Sequence, residues 1–533
     1  MDLLLITTAL FFFSLCNTSV LGRSDKPCQK TSFGGSTFVC MCNATYCDDV
    51  EPDVKLPDGV FAVYSTDIAA DRLTKTTHKF YVLDENTSLK HLQPESDVFY
   101  IVTSFKPKQT VTGFGGTFTD ASGMNIVKLP EGAQDNLIES YFGPSGIEYS
   151  LGRIPIASND MSTDIYSYDF TNGDTGLSKF TISGYDHLYK IPFIDKAVVA
   201  RGGNLSLFGS PWSSPDWMKT NDNMVGYGTI LPEMTKVYAN YLARFLSEYE
   251  GFMSHGRMWG LTTQSGPTRS CSNTSRPEYQ SVCWTPETMR DWVVKDLKRS
   301  LQDSGYGYIK LFTMDDNADV MTEWQDTFDD VIALEAIDGF GIHGYRNNKT
   351  TLKSMCDTYE RFPDKILLGT EYCQRGKPQL GAWELAEDFA EHIFDNLNNC
   401  GSGFIHYNLA VDMHGGPSWV NYNADAPIVV DSDGGNKVFY KQPTFYMMGH
   451  FSKFIPPGSA AIEMFPYQPN PEGVHAVGFT RPDNSTVLVI SNFNTAESKT
   501  VGILYGKYYA NYTMAPNSIH TLTWWKPGAV PGT

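Results

Sequence analysis

The middle of the chain alternates short apolar segments with amphipathic ones. Apolar residues recur at helical spacing in 233–250, 286–300 and 385–399, and Thr285 followed by Pro286 is a good helix start for the second segment. The apolar segments between the helices predict strands over 111–115, 149–156, 204–210, 258–263, 309–314, 339–345, 366–370 and 403–409. This alternation predicts a (β/α)8 barrel, with a doubly wound open sheet as the alternative.

The two flanks of this region have a different pattern. Residues 61–104 and 473–525 alternate apolar and polar positions, as in STVLVISNF, and turn signals such as Pro482-Asp483 separate the segments. Alternation of this kind is typical of strands with one buried face. We therefore expect both ends of the chain to be β-rich and to pair into a β-sandwich beside the barrel.

The first residues indicate export. The apolar run LLLITTALFFFSL is too short to span a bilayer and precedes small residues, so residues 1–22 are predicted to be a cleaved signal peptide, with a retained anchor as the alternative. No later stretch reads as a transmembrane helix. Sequons, which are candidate glycan sites in an exported chain, occur at Asn43, Asn86, Asn204, Asn273, Asn348, Asn484 and Asn511.

Cysteine usage agrees with an oxidising compartment. The early cysteines Cys28, Cys40, Cys42 and Cys47 favour disulfides over zinc, because their spacing does not fit paired zinc knuckles. The chain has 10 cysteines, and removal of Cys16 with the signal leaves an odd number. At least one free thiol is therefore expected among the later ones, which are Cys271, Cys283, Cys356, Cys373 and Cys400.

Charge and size narrow the classes of function. A formal net charge of −19 argues against a nucleic-acid partner, which requires a basic face, and it suits an acidic compartment. With 533 residues and 41% hydrophobic content, the chain can bury a large core and should form more than one domain.

Catalytic groups of barrel enzymes lie where strands end. The glycine-rich run 113–120 lacks the lysine of a P-loop, so we expect a tight turn that aims Asp120 into the barrel mouth. Arg153 follows on the second strand, and Trp212 and Trp217 on the third strand end are suited to stacking on sugars. Glu371 comes directly after an apolar strand and is a nucleophile candidate, with Arg153 available to keep it ionised.

Each of these residues also has a structural interpretation. Asp120 could cap the following helix, Trp212 and Trp217 could be core residues, and Arg153 could be an ion-pair partner for any strand-end acid. His343 could be a hydrogen-bonded core histidine. Glu371 is the hardest to explain in this way, because a buried acid at a strand end is costly without a purpose.

Several longer motifs identify a known family. The segments FGGTFTDASGMNI, RIPIASNDMS, SPWSSPDWMKTN, GTEYC and FYKQPTFYMMGHFSKFIPPGS closely resemble the lysosomal glucosylceramidase (acid β-glucosidase) family, and the similarity extends from about Cys28 to Trp525. The resemblance implies a retaining β-glucosidase that hydrolyses glucosylceramide to glucose and ceramide. It also implies a lysosomal or secreted protein, with a saposin-type activator protein and an anionic lipid surface as partners and no cofactor or metal.

The resemblance also implies a domain organisation. It gives a small disulfide-bearing sheet from 23–52 and about 410–440, a β-sandwich from 53–105 and about 455–533, and a barrel from 106–409 and about 441–454. The disulfides of the small sheet would be Cys28–Cys40 and Cys42–Cys47.

Residue roles carry over by position. Glu371 is expected to be the nucleophile, with Arg153 supporting the carboxylates. Asp120, Trp212, His343 and Tyr345 are expected around the glucose. His406 and Tyr407 are interpreted as scaffold in this chain.

The fourth strand end departs from the family pattern. The family has Asn-Glu-Pro there, with the glutamate as acid/base, whereas this chain has Ser265-Gly266-Pro267. Gly266 therefore occupies the acid/base position, and Ser265 that of the asparagine that bonds the sugar 2-hydroxyl. Loss of the proton donor should slow cleavage of a poor leaving group by about 10²–10⁴-fold. The nearby acids that could substitute are Glu278, Asp315 and Asp316.

Three hypotheses follow from this departure. The protein is an active or partly active glucosylceramidase, a non-catalytic paralogue that binds glucosides, glycolipids or the activator protein, or a barrel kept as a scaffold for protein contacts.

Overall fold

The computed structural model describes residues 26–83, 96–103, 108–271, 278–433, 435, 437–466 and 469–525. In chain order the strands of these residues are β1 Lys30–Thr31, β2 Val39–Cys42, β3 Val60–Asp67, β4 Thr74–Lys79, β5 Tyr81–Val82, β6 Val98–Thr103, β7 Gly113–Thr117, β8 Leu151–Ile156, β9 Ser206–Pro211, β10 Met258–Thr262, β11 Lys310–Asn317, β12 Gly339–His343, β13 Ile366–Tyr372, β14 Gly403–His406, β15 Val411–Asp412, β16 Ile428–Asp431, β17 Val438–Lys441, β18 Ala460–Ala461, β19 Glu463–Pro466, β20 Ala476–Thr480, β21 Ser485–Asn492, β22 Lys499–Tyr505, β23 Tyr508–Met514 and β24 Ser518–Trp525.

Strands β7 to β14 form a closed barrel in which neighbouring strands are parallel. Each overlaps one of the eight apolar segments found in the sequence, so the predicted barrel is confirmed and the open-sheet alternative is excluded. The apolar side chains that fill the barrel interior form a buried cluster of Leu151, Phe208, Phe312, Leu368 and Ile405. This packed interior leaves the carboxyl ends of the strands as the place for a site.

Helices surround the barrel. They are α1 Asp120–Val127, α2 Glu131–Phe142, α3 Ile191–Ala200, α4 Thr235–Phe252, α5 Pro286–Trp292, α6 Lys298–Asp303, α7 Met321–Thr327, α8 Val331–Ala336, α9 Lys349–Arg361, α10 Trp383–Asn398 and α11 Pro443–Ser452. Thr285 caps α5 through a reciprocal capping box with Thr288. The amphipathic segment 286–300 is not one regular helix, because a π-helical turn at Val293–Leu297 separates α5 from α6.

Two packed sheets lie beside the barrel. One has the strand order β18-β20-β21-β24-β3-β4 and the other the order β19-β6-β22-β23-β5. The two ends of the chain meet where β3 pairs with β24 in antiparallel register, from Asp67 opposite Ser518 to Ala62 opposite Thr523. The expectation of a sandwich built from both flanks is therefore confirmed.

A third sheet of five short strands has the order β1-β2-β17-β16-β15. The disulfides Cys28–Cys40 and Cys42–Cys47 cross-link its amino-terminal part, so these sulfurs are not available to zinc. The later cysteines form Cys271–Cys283 and Cys356–Cys400. Cys373 is the free, buried thiol that the odd number predicts.

Within the described residues, no helix has both the length and the apolar character needed to cross a bilayer. The segment expected to be a signal peptide lies outside the described residues, as do the sequons at Asn86 and Asn273. Of the other sequon asparagines, Asn204, Asn348, Asn484 and Asn511 are exposed and Asn43 is half-buried.

Helix α10 carries a buried carboxyl group where the barrel meets the sandwich. Glu387 is 3% exposed, and it accepts hydrogen bonds from Trp383 Nε1 at 2.6 Å and from the backbone N–H of Asn494 at 3.3 Å. Burial raises the pKa of Glu387, the hydrogen bonds from Trp383 and Asn494 oppose that shift and the charges of Glu391 and Glu384 add to it, so that the pKa is about 7. The folded protein therefore binds this proton more tightly than the unfolded chain does.

The unfolding free energy of the protein should fall as the pH rises towards neutral, and replacing Glu387 with glutamine should reduce that fall. A raised pKa in the folded state gives stability that is fully present below the unfolded pKa of about 4.3 and is lost as the pH rises through about 7. Between pH 4.5 and pH 8, the unfolding free energy of Glu387→Gln should fall by on the order of 1–3 kcal/mol less than that of the parent. We therefore expect a smaller Tm difference between these two pH values. Glu360→Gln, on the exposed face of α9, is the matched control. An unchanged pH dependence of Tm in Glu387→Gln would contradict the assignment.

Candidate active site

A cavity of about 280 Å³ lies at the carboxyl ends of the barrel strands. Its polar side chains come from loops that follow several different strands, as expected for a barrel enzyme. The lining residues are Asp160, Trp212, Ser265, Gly266, Arg269, Glu278, Tyr279, Asp316, Asn317, His343, Tyr345, Glu371, Arg375, Tyr407, Val420 and Tyr422. Of the site residues predicted from the sequence, the cavity thus brings together Trp212, Ser265, Gly266, His343, Tyr345 and Glu371.

Glu371 lies near the end of β13 and is 9% exposed. Arg153 Nη1 donates to its Oε2, the Tyr345 hydroxyl donates to its Oε1 at 3.0 Å, and His343 Nδ1 is 3.8 Å from Oε1. The guanidinium supplies the counter-charge that a carboxylate at such a depth requires. This geometry leaves Glu371 facing the cavity with its orientation fixed from two sides.

Arg153 is fully buried and connects four strands of the barrel. Besides Glu371 it donates to Ser210 Oγ at 3.0 Å and to Asp315 Oδ2 at 2.9 Å. Its guanidinium carbon also lies 4.8 Å from the centre of the Trp212 ring. Burial acts to lower the pKa of Arg153, but the charges of Asp315 and Glu371 outweigh it and the net shift is upward.

Asp315 is buried behind the cavity and saturated with hydrogen bonds. It accepts from Thr262 and Thr370 hydroxyls at 2.6 Å each, and His343 Nε2 lies 3.0 Å from its Oδ1. Burial would raise the pKa of Asp315, but Arg153 and then His343 hold it well below its ordinary value. Asp315 does not line the cavity, so it is a poor substitute for a missing acid/base.

His343 links this network to Glu371. Burial acts to lower its pKa, but Glu371 and Asp315 outweigh that effect, so the pKa of His343 is raised. The side chain is 5% exposed and lines the cavity. His343 is therefore both a hydrogen-bonded buried histidine and a neighbour of Glu371.

Gly266 lies on the loop after β10 with a φ of +58°. Its N–H donates to the backbone oxygen of Asp315 at 2.9 Å, and the preceding Ser265 N–H donates to the backbone oxygen of Pro211 at 2.9 Å. A Cβ added at Gly266 would meet nothing within 4 Å. The position therefore has space for a side chain, although a left-handed backbone costs other residues about 1–2 kcal/mol.

The two remaining candidate acids on this side do line the cavity. Asp316 is 4% exposed and accepts from the backbone N–H groups of Thr268 and Asn317, at 3.1 and 2.7 Å. Glu278 is exposed at the cavity rim. A carboxylate held by two amides is fixed in place, whereas a rim side chain can change rotamer, so Glu278 is the better candidate of the two to approach a ligand.

Asp120 is expected from the sequence to face the barrel mouth, but it does not line the cavity. Its carboxylate is 1% exposed, lies 3.3 Å from Lys190 Nζ and accepts from the Tyr166 hydroxyl at 2.9 Å. Lys190 is itself fully buried and needs that counter-charge. Asp120 therefore belongs to an internal ion-pair network outside the cavity lining. It does not cap α1 either, because Thr119 accepts the capping hydrogen bond.

Asp160 faces the cavity instead. It follows β8 on the loop that contains the motif RIPIASNDMS, and it accepts a hydrogen bond from the Tyr407 hydroxyl. Burial raises the pKa of Asp160 to about 6, and the hydrogen bond from Tyr407 opposes that shift. The motif was visible in the sequence, but the residues around Asp160 lack a regular period, so its direction could not be derived.

Tyr407, which the sequence analysis interprets as scaffold, lies on the cavity wall. Its ring lies 6.1 Å from Trp212 with an interplanar angle of 20°. His406 is 2% exposed and lies outside the cavity lining, and burial lowers its pKa to about 3. Trp217 is a core residue whose Nε1 donates to the backbone of Asp169 at 3.1 Å.

Replacing Arg153 should destabilise the barrel strongly. Arg153→Gln leaves the buried carboxylates of Asp315 and Glu371 without their counter-charge, and breaking one side of such a network costs about 3–5 kcal/mol. We expect that loss of unfolding free energy in urea denaturation followed by tryptophan fluorescence. Arg244→Gln, which removes an exposed arginine of α4, is the matched control and should stay within about 0.5 kcal/mol of the parent. Equal stability of the two variants would show that Arg153 is not the structural centre of the site.

Comparisons with known proteins agree with this architecture. The model of the glycosyl hydrolase family 30 TIM-barrel domain matches residues 111–455, and that of the family 30 beta sandwich domain matches residues 458–522. Lysosomal acid glucosylceramidase of Mus musculus is 35% identical, over 94% of this chain and 96% of that protein. Putative glucosylceramidase 3 of Caenorhabditis elegans is 35% identical, over 95% and 96%.

Solved structures give the same fold. The crystal structure of SrfJ from Salmonella typhimurium has a TM-score of 0.79 at 24% identity and covers 88% of this chain and 100% of that one. The endo-beta1,6-glucanase BT3312 has a TM-score of 0.75 at 21% identity and covers 87% and 99%. At these identities the likeness establishes the architecture and leaves the chemistry to be argued from the site.

Proposed function

The chain belongs to the glucosylceramidase family within glycosyl hydrolase family 30, and on that premise we propose that its cavity binds a β-glucosyl group and that Glu371 attacks the anomeric carbon. The observation that carries the proposal is the placement of Glu371, which faces the cavity and is oriented by Arg153 and Tyr345. Attack would form a covalent glucosyl–enzyme ester and release the aglycone, as in retaining glycosidases.

The other walls of the cavity suit a sugar ring. Trp212 and Tyr407 offer aromatic faces for the C–H groups, and Asp160 offers a carboxyl group for ring hydroxyls. Ser265 lies beside Arg153, with 3.3 Å between Arg153 Nη2 and Ser265 Oγ, and can reach the 2-hydroxyl next to Glu371. We propose Asp160 in place of Asp120 as the sugar-binding acid.

The proton donor is the missing part of this machinery. A retaining mechanism uses two carboxyl groups about 5–5.5 Å apart, and Gly266 supplies none. Ceramide would leave as a poor alkoxide without protonation, whereas a phenolate with a low pKa can leave unaided. We therefore propose slow turnover of glucosylceramide and measurable turnover of activated aryl β-glucosides.

A second candidate function rests on the same glycine. A cavity that keeps its sugar-binding walls and lacks the acid can serve as a binding site for glucosides or glycolipids, or the protein can compete for an activator protein. We propose a secreted or lysosomal location for either function, with a saposin-type activator and an anionic lipid surface as partners, on the basis of the family, the amino-terminal apolar run and the sequons. A barrel retained only as a scaffold would bind no sugar.

Covalent trapping tests the nucleophile. A 2-deoxy-2-fluoro-β-glucosyl fluoride needs no proton donor for departure of fluoride, so it should label Glu371 even with glycine at 266. Peptide mass mapping should locate one adduct on the segment that contains Glu371. Glu371→Gln should abolish labelling, and Glu278→Gln, at the rim, should retain it. Labelling at another residue, or none, would remove the proposed mechanism.

Restoring a carboxylate tests the proton donor. Gly266→Glu should raise kcat/KM on glucosylceramide in detergent by about 10²–10⁴-fold. Gly266→Ala and Gly266→Gln carry the same left-handed backbone strain without an acid, so they are the matched controls, and Tm measurements check that all three fold. An equal response of Gly266→Gln and Gly266→Glu would refute an acid/base role at this position.

A further inference from the structure

Two arginines on the cavity wall lack an ion-pair partner among the described residues. Arg153 pairs with Asp315 and Glu371, whereas Arg269 and Arg375 line the same cavity, are exposed and form no ion pair with a described residue. The carboxylates of the cavity are engaged elsewhere: Glu371 with Arg153, Asp316 with backbone amides and Asp160 with Tyr407. The exposed Glu278 is the exception.

Arg269 is close in the chain to Gly266. It begins a 3-10 turn, Arg269–Cys271, and the Ser270 hydroxyl of that turn donates to the backbone oxygen of Gly266 at 3.3 Å. The disulfide between Cys271 and Cys283 ties the turn to the segment that precedes α5. The position of the Arg269 backbone relative to Gly266 is therefore fixed by a hydrogen bond and a covalent cross-link.

Arg375 follows β13 and lines the same cavity as Arg269 and Gly266. Its guanidinium carbon lies 5.0 Å from the centre of the Tyr345 ring, and the Tyr345 hydroxyl bonds Glu371. Burial raises the pKa of Tyr279 to about 12, and the charge of Arg269 opposes that shift. Burial acts to lower the pKa of Arg375, but Tyr422, Tyr345 and, to a smaller extent, Cys373 and Tyr279 outweigh it, so the pKa of Arg375 is raised. Both arginines thus line the cavity that contains Gly266 and Tyr279.

Deepening the proposed function, on which this inference rests, we propose that the wall formed by Arg269, Arg375 and Gly266 binds a carboxylate that is not part of the protein. The carboxylate comes from a free small acid or from an aglycone. The open space at Gly266, where an added Cβ meets nothing within 4 Å, gives it room, and the guanidiniums give charge-assisted hydrogen bonds. It lies where a side-chain carboxylate would otherwise act.

A free carboxylate in this place has a defined reaction with the glucosyl–enzyme ester. Its oxygen attacks the anomeric carbon, the bond from that carbon to Glu371 breaks, and the electron pair returns to Glu371 as a carboxylate. The product is a β-glucosyl carboxylate ester, and no proton transfer is needed. Water would need a base for the same step, so the carboxylate should be the faster acceptor.

The test uses the full-length protein with 2,4-dinitrophenyl β-glucoside, whose leaving group needs no acid. Sodium acetate should raise the steady-state rate at least about tenfold and saturably over sodium chloride at equal ionic strength, and β-1-O-acetylglucose should be found by mass spectrometry. Arg269→Gln and Arg375→Gln should each lose most of the acceleration. Arg244→Gln, remote from the cavity on α4, should keep it.

A pair of aryl β-glucosides distinguishes the two sources of the carboxylate. If the aglycone supplies it, a carboxylate-bearing aryl glucoside should have a lower KM than its methyl ester, and Arg269→Gln should remove the difference. If a free acid supplies it, both substrates should respond equally to acetate.

The outcomes separate this inference from the proposed function. Labelling of Glu371 by the fluorosugar, with no response to acetate and no preference for the charged aglycone, overturns the inference and leaves the proposed function standing. Full acceleration in Arg269→Gln and Arg375→Gln also overturns it. Absence of labelling overturns both.

Discussion

The burial of one guanidinium organises the whole site. Arg153 has no contact with solvent, and its charge is balanced by Asp315 behind the cavity and by Glu371 at its surface. Desolvating such a group costs several kcal/mol unless every partner is in place. The backbone that carries Asp315 is irregular: Met314 and Asp315 both have positive φ values, +69° and +47°, at a register shift in β11. The nucleophile candidate is thus oriented by a structural ion pair.

The backbone at this register shift in β11 also fixes the loop that carries Gly266. Gly266 donates its N–H to the backbone oxygen of Asp315, so the path of the fourth-strand loop follows the fifth strand and does not depend on a side chain at 266. Because Asp315 is saturated by Thr262, Thr370, Arg153 and His343, it cannot move to replace a missing acid. If position 266 is the acid/base position, as proposed, loss of its carboxylate would leave the fold and the orientation of Glu371 undisturbed.

The fold followed from local patterns, whereas parts of the site did not. The barrel strands were predictable because each is an apolar run bounded by turn residues, and Glu371 because it directly follows such a run. Asp120 and Asp160 show the limit of that reasoning. Both are acids on loops after barrel strands, but a buried cation, Lys190, captures Asp120, and that pairing joins segments 70 residues apart. Arg269 and Arg375 have no distinguishing local pattern, so only the assembled cavity reveals them.

The electrostatics of the cavity follow from these placements. Cleavage of a glucosyl bond develops positive charge at the anomeric carbon, which a pair of carboxylates stabilises and nearby guanidiniums oppose. On the proposed assignment, this cavity has Gly266 at one of the two carboxylate positions, and Arg269 and Arg375 line its walls. On its own, then, it is less suited to an oxocarbenium-like transition state than a two-carboxylate site. A bound anion would reverse that balance, because it would neutralise the arginines and return negative charge to the side of the sugar opposite Glu371.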